Sequence, residues 1–356
     1  MNPDNSTVDS TASTSIQIVL ASRPHGEPAA RDFRTESVPV PAPGDGEVLL
    51  RTLYLSLDPY MRGRLSDAES YAASWDVDVP LQAGTVSEVV ESRSDRFSPG
   101  DVVLGYTTWS TYAVAPANQL RRLDPTAAPL TTALGVLGMP GFTAYAGLTV
   151  IGQPKPGETV VVAAASGPVG SMVGQLAKQA GARAVGIAGG AEKCRWVLDA
   201  GFDAAIDHRA ESFADDLAAA TPDGIDVYFE NVGGAVWDAV LRRLNTYARV
   251  PVCGLIAHYN DTQAPPGPNR APALMNKILT KSLTVRGFIQ NEFVADHYKT
   301  FQQTVAPLVA DGTIVYREDV VEGLQNAPQA LIGLLRGDNF GKLIVQVGAP
   351  PAGPVG

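Results

Sequence analysis

The run Val160-Val161-Val162-Ala163-Ala164-Ala165, followed at once by Ser166-Gly167-Pro168-Val169-Gly170, constrains this chain more than any other segment. A continuous stretch of small or branched apolar residues suits a strand buried on both faces, as in a parallel sheet covered by helices. Gly167 and Gly170 permit a tight turn and a close approach of backbone to ligand. Beyond the turn, Val169, Val173, Leu176, Ala177 and Ala180 recur at helical spacing. A strand, a glycine turn and a helix start, in that order, predict a binding site for a dinucleotide pyrophosphate. The first N–H groups of such a helix are unpaired, and its dipole favours an anion. The form here is Ala164-x-x-Gly167-x-x-Gly170, with alanine at the first position. The pattern alone is weak, and its strand–helix context gives it weight.

The 356 residues allow two domains of ordinary size, and 45% apolar with 18% charged residues fits a globular protein. A net charge of −10 argues against nucleic-acid or anionic-membrane partners. An anionic cofactor would need local positive charge against that background. Cys194 and Cys253 belong to no Cys-x-x-Cys pair, so neither a disulfide framework nor a cysteine zinc site is expected. His25, His208, His258 and His297 show no metal-ligand spacing. Residues 1–15 are rich in Ser, Thr, Asn and Asp and lack the regions of a signal peptide, which predicts a disordered tail and a cytoplasmic protein. Residues 349–356 are expected to fray. No apolar stretch is long enough to span a bilayer.

From residue 16 to about 114, short apolar runs (Ile16–Leu20, Glu47–Tyr54, Gly84–Glu91, Asp101–Tyr106) alternate with Pro, Gly and Asp clusters, which predicts a β-rich region. From about Pro140 to Gly312, strand candidates alternate with helical patterns: Thr159–Ala164, Ala184–Ala188, Ala204–Ile206, Asp226–Glu230, Ala248–Cys253 and Leu283–Gly287. Such alternation implies a parallel sheet with right-handed crossovers. Asp261–Pro272 is rich in Pro and reads as a lid loop. Ile314–Tyr316, Val320–Gly323, a helix Ala327–Leu335 and a strand Lys342–Val347 then return to complete the β-rich part.

Several motifs occur in order: Asp58-Pro59-Tyr60-Met61-Arg62; Met139-Pro140-Gly141-Phe142-Thr143-Ala144-Tyr145; the glycine turn; Glu230-Asn231-Val232-Gly233-Gly234; Cys253-Gly254; Tyr259-Asn260; and Gly337-Asp338-Asn339-Phe340-Gly341-Lys342. Together they resemble the medium-chain dehydrogenase/reductase superfamily, in its zinc-independent prostaglandin reductase and alkenal double-bond reductase (leukotriene B4 12-hydroxydehydrogenase-like) branch. The resemblance covers nearly all of residues 16–347. It implies an α/β fold: a Rossmann doubly wound parallel sheet domain, residues 140–312, inserted in a β-rich GroES-like catalytic domain, residues 16–139 and 313–348. It also implies a homodimer and NADPH-dependent reduction of a carbon–carbon double bond conjugated to a carbonyl. The zinc enzymes of the superfamily carry Cys, His and acidic ligands in the N-terminal domain. Here that region has no Cys, His25 is its only His, and Pro80–Glu88 has no His.

NAD-preferring sites place an acid about 20 residues past the glycine turn. This chain has Ala188-Gly189-Gly190 there, with Glu192 the first acid and Lys193 beside it. The resemblance implies that Gly189 and Lys193 meet a cofactor 2′-phosphate; the plainer reading of Lys193 is a solvated lysine. His208-Arg209 stands where the family has Tyr-Lys near the 2′-phosphate and adenosine; His208 can stack or donate to phosphate and Arg209 add a fork of donors, and the pair reads equally as an exposed loop pair. By resemblance Asn231 bonds the ribose or nicotinamide side, and it also suits a helix N-cap. Cys253 and Gly254 pass the nicotinamide, and Phe288-Ile289-Gln290 flank its carboxamide. Tyr259 is the leading catalytic candidate. Hydride addition to an enone makes an enolate, and a positioned phenol with an ordinary pKa of about 10 can stabilise it or give a proton. Tyr259 also reads as a packed loop residue. Tyr60 should line the cleft, or else be a core aromatic. Asn339 resembles a residue that reaches the cofactor, or it makes an Asp-Asn turn. Within the superfamily the alternative chemistry is quinone reduction; outside enzymes, it is a non-catalytic dinucleotide-binding regulator.

Overall fold

The computed structural model describes residues 13–263 and 268–350. Strands β1 (Thr14–Leu20) and β2 (Phe33–Pro39) form an antiparallel pair. Residues 14 and 15 therefore belong to a strand and not to the expected tail. Ser15 is buried, and its hydroxyl meets that of Thr111 at 3.2 Å, which ties the strand's first turns to the sheet behind it. Residues 1–12 of that tail, and 351–356 of the C-terminal one, lie outside the described residues. Next come β3 (Glu47–Ser56), the short helix α1 (Met61–Arg64), β4 (Gln82–Ser92), β5 (Val102–Thr108), β6 (Tyr112–Pro116) and β7 (Arg121–Leu123).

After helix α2 (Met139–Ala146) the chain alternates. It runs through β8 (Thr159–Ala163), α3 (Pro168–Gln179), β9 (Arg183–Ala188), α4 (Ala191–Asp199), β10 (Ala204–Asp207) and α5 (Phe213–Ala220). It continues through β11 (Ile225–Phe229), α6 (Gly234–Arg243), β12 (Leu244–Val252), α7 (Ala271–Lys281), β13 (Thr284–Gly287) and α8 (Val294–Ala310). The sheet order is β10-β9-β8-β11-β12-β13, every pair parallel. The order reverses between β8 and β11, so the ligand crevice lies outside their carboxyl ends. The apolar run of β8 is explained by the two faces it serves. Val160 and Val162 pack with Phe142, Val173 and Phe301, whereas Val161 and Ala163 pack with Ile187, Leu217 and Val240.

The chain then returns through β14 (Glu318–Glu322), α9 (Ala327–Arg336) and β15 (Lys342–Gln346). A second sheet runs β14-β15-β3-β4-β5-β7, with β6 on β3; it is antiparallel except for β14 and β15. The molecule is thus a Rossmann-type parallel sheet with a separate, largely antiparallel sheet. Ile314–Tyr316, expected as a strand, is not one. Gln175 of α3 takes the place of a strand partner: its Nε2 donates to the Val315 carbonyl at 2.9 Å and its Oε1 accepts the Val315 N–H at 2.8 Å. The loop after Asp261 ends where α7 starts at Ala271, two residues inside the expected lid, and residues 264–267 lie outside the described residues. No helix among the described residues is long and apolar enough to cross a membrane.

Candidate active site

The turn after β8 is built from backbone. Ala164 takes the left-handed conformation, φ 52°, and its carbonyl accepts the Gly167 N–H at 2.9 Å. Gly167 is the extended N-cap of α3 and Pro168 its first residue, where a missing N–H costs nothing. A Cβ on Gly170 would stand 2.3 Å from the Ala164 carbonyl oxygen, so only glycine lets α3 start this close to the strand end. Gly167, Pro168, Val169 and Gly170 therefore sit together at the start of α3, where the first N–H groups of a helix have no partner within it and favour an anion.

Three basic side chains converge at the end of β9. The point a Cβ on Gly189 would occupy is 2.9 Å from both Arg209 Nε and His208 Nε2. Lys193, on the first turn of α4, donates from Nζ to the Gly337 carbonyl at 2.7 Å, which joins this cluster to the returning segment. Asp207 is turned away, accepting the N–H groups of Gly190 and Arg209, each at 2.9 Å. Burial, then the neighbouring Arg209, holds Lys193 below its ordinary value, and the same two causes lower His208. His208 and Arg209 are exposed, so solvent screens part of this repulsion. Basic side chains gathered over a glycine, with Asp207 engaged by backbone N–H groups, fit a phosphate. The turn and this cluster together fit a dinucleotide carrying a 2′-phosphate.

Glu230, 2% exposed, organises the next loop. Its Oε1 accepts the N–H groups of Val232 at 2.7 Å and Gly233 at 2.8 Å and the Tyr228 hydroxyl at 3.0 Å. Burial pushes this carboxyl up, against the pull of those donors. The N-cap of α6 is Gly233, φ 78°, and not Asn231. Asn231 instead donates from Nδ2 to the Ala163 carbonyl at 2.9 Å, because two glycines with positive φ already turn the chain into the helix. Cys253 packs against the core, and its thiol is pushed up to about 12 by burial and then by Glu230. Gly254 leaves room for the Tyr259 hydroxyl, 3.0 Å from where its Cβ would stand.

Tyr259 is half-buried, and its hydroxyl accepts the Leu255 N–H at 3.4 Å. Burial raises it above the ordinary tyrosine value, so it is a neutral donor at neutral pH. Tyr60 stands on the opposite wall, its hydroxyl 3.2 Å from that of Tyr106, which also accepts from Arg64. Burial and then Asp58 raise Tyr60 strongly. Sequence reasoning missed Tyr71, which lies in a polar loop without a pattern. Its ring is 60% exposed, but its hydroxyl end is set near Tyr259 and Cys253 and is raised, by burial first. The Phe288 ring is in the core, at 6.0 Å from Phe229 and 6.1 Å from Phe293. Ile289 is 38% exposed, and Gln290 meets Asn291. Asn339 closes a turn, its Nδ2 donating to the Gly341 carbonyl at 2.8 Å. Among the described residues no three His, Cys, Asp or Glu side chains are placed to hold a metal ion.

Two family models match the chain. One describes the N-terminal domain of oxidoreductases and covers residues 16–123; the other, described as zinc-binding dehydrogenase, covers residues 168–311. The chain is 54% identical to an NADPH-dependent curcumin reductase of Escherichia coli, over 92% of this chain and 96% of that protein. It is 40% identical to a 2-alkenal reductase (NADP(+)-dependent) of Nicotiana tabacum, over 93% and 97%. A crystal structure of CurA in complex with NADPH from Vibrio vulnificus superimposes with a TM-score of 0.91 at 52% identity, covering 94% of this chain and 100% of that one.

Proposed function

The chain belongs to the medium-chain dehydrogenase/reductase superfamily, in its zinc-independent prostaglandin reductase and alkenal double-bond reductase branch, and from that premise we propose that it uses NADPH to reduce the carbon–carbon double bond of α,β-unsaturated aldehydes and ketones. The observation that carries the reading is a neutral phenol, Tyr259, in the crevice beyond β12, in a chain whose β9 end gathers Lys193, His208 and Arg209. The turn Gly167–Gly170 would receive the pyrophosphate and the basic trio the 2′-phosphate. Asn231, Cys253, Gly254, Ile289, Gln290 and the main chain of Phe288 would border the nicotinamide, with Asn339 approaching from the returning segment. When bound, the cofactor supplies a hydride to the β-carbon of the enone. Tyr259 donates a hydrogen bond to the carbonyl oxygen as negative charge develops there, and Tyr259, water or both deliver the proton to the α-carbon. Tyr60 is the second phenol that could take that part.

The test is NADPH consumption with an enone, with a quinone and with neither, the product identified by mass. A saturated ketone from the enone supports the reading. Turnover of the quinone alone moves the protein to quinone reduction, and turnover of neither makes it a dinucleotide-binding regulator.

We also infer a homodimer formed through β13. This strand ends the parallel sheet, and its four residues are all exposed. The helix before it exposes Met275 (62%) and Leu279 (77%). Two copies pairing edge to edge about a two-fold axis would remove both free edges. Sedimentation of the wild type and of Val285→Pro, which lacks an edge donor, checks this: a monomeric wild type or an undisturbed dimer in the variant refutes it.

A further inference from the structure

Among the described residues the Tyr259 hydroxyl has one hydrogen bond, a long one, from the Leu255 N–H at 3.4 Å. Its two sequence neighbours are anchored on opposite walls of the cleft. On one side, His258 Nε2 accepts the Gly234 N–H at 3.1 Å, and its Nδ1 is 2.7 Å from Asp261 Oδ2. An imidazole that accepts at Nε2 carries its proton on Nδ1, so Nδ1–H donates to Asp261. The ring also fills the space above Gly233, whose missing Cβ would lie 3.0 Å from His258 Cδ2. His258 thereby grips the start of α6 and the loop that carries Asn231.

On the other side, Asn260 Oδ1 accepts Arg62 Nε at 2.9 Å. Arg62 lies in α1, two residues after Tyr60, and its Nη2 donates to the Gly26 carbonyl at 2.6 Å. It is only 5% exposed; burial lowers its pKa, the nearby Asp32 carboxylate pulls the other way, and its side-chain hydrogen bonds go to neutral oxygens. A buried charge whose hydrogen bonds go to neutral oxygens gains little net stability from them. What a guanidinium fork does provide is fixed direction. Thr262, two residues further on, packs at 3.5 Å from the Cβ position of Gly26, so the loop lies along this wall beyond the single hydrogen bond.

We propose that His258 and Asn260 form a two-point bracket that aims Tyr259 into the cleft, with Arg62 a positioning residue that acts through Asn260. The bracket joins the cofactor loop, the phenol and the wall bearing Tyr60 into one unit, so the phenol is aimed before any substrate arrives. The catalytic part of this inference rests on the function proposed above; the mechanical part does not.

The experiment uses the full chain and pairs hydrogen exchange of residues 255–261 with single-turnover kinetics. Asn260→Ala, at a half-buried loop position, should raise exchange of that segment about tenfold. It should slow the hydride step about ten- to a hundredfold, the usual result of a small misplacement, and leave the NADPH Kd within about twofold. Asn260→Asp keeps an acceptor for Arg62 and should retain both slow exchange and rate. His258→Ala should loosen the same segment from the other wall, and Asn260→Ala added to Tyr259→Phe should slow the reaction no further. Unchanged exchange in Asn260→Ala overturns the bracket, whatever the rate. A full rate in Tyr259→Phe overturns the catalytic reading instead, and exchange then decides the bracket alone.

Discussion

Replacing Lys193 by alanine should separate two cofactors that differ by one phosphate. In the free protein the ammonium is bonded to the Gly337 carbonyl at 2.7 Å and stands with Arg209 and His208 around Gly189. A 2′-phosphate there would give it an anion in addition to a neutral oxygen. Two unit charges about 4 Å apart attract by about 4 kcal/mol at an effective dielectric of about 20. Lys193 is half-buried, and desolvation takes back part of that gain. A charge-assisted contact of about 1.5–3 kcal/mol is the net expectation. Losing it should raise the NADPH Kd about 10- to 150-fold. NADH places no phosphate in this cluster, so its Kd should move by less than about twofold. The freed Gly337 carbonyl costs about 0.5–1.5 kcal/mol of stability, equally for both cofactors. Calorimetric titration of both cofactors at fixed ionic strength is the assay, and the salt dependence of NADPH binding should flatten in the variant. Equal weakening of NADPH and NADH would refute the phosphate assignment and leave Lys193 as a strut between α4 and the returning segment.

Tyr259→Phe should slow the hydride step on the order of a hundredfold while NADPH affinity holds, because one donor to the developing enolate is lost. A near-normal single-turnover rate would make Tyr259 a packing residue and turn attention to Tyr60. His208 titrates below the ordinary histidine value, through burial and then Arg209, so it is neutral in the free protein at neutral pH. A bound phosphate raises it, and the advantage is therefore full below the free-protein value and lost as pH rises through the bound one. Wild-type NADPH affinity should weaken from about pH 6 to 8 more than that of His208→Gln; parallel slopes for the two proteins contradict this. Dialysis against a strong chelator should leave enone reduction unchanged, and activity lost and then restored by added zinc would show the ligand argument to be wrong.

The elements with the clearest physical cause were legible from sequence. The β8 run has to be apolar throughout because helices cover both faces of its sheet, and glycines are forced where α3 meets the strand end. Elements whose partner is remote were not. Ile314–Tyr316 has a strand's composition, yet its backbone is answered by the Gln175 side chain, 140 positions away. Asn231 suits an N-cap by residue type, but two glycines already turn the chain, and its amide went to β8. The Arg62–Asn260 contact joins positions 198 apart, and no local pattern encodes it. Tyr71 carries no periodicity because it belongs to a loop on the rim of the cleft.

The buried Lys342–Asp58 pair also dates the assembly of the molecule. Lys342 Nζ donates to the Leu57 carbonyl and to Asp58 Oδ1, both at 2.7 Å, across 285 and 284 positions of chain. β15 meanwhile pairs with Tyr54, Leu55 and Ser56, the end of β3 that leads into Asp58–Arg62. At roughly 5–20 residues per second, a ribosome delivers that partner about 15–55 s after the stretch that needs it. The parallel sheet is entirely made in the interval. A nascent or truncated chain is therefore expected to complete the parallel sheet before Lys342 can tie down the segment that carries Tyr60 and Arg62.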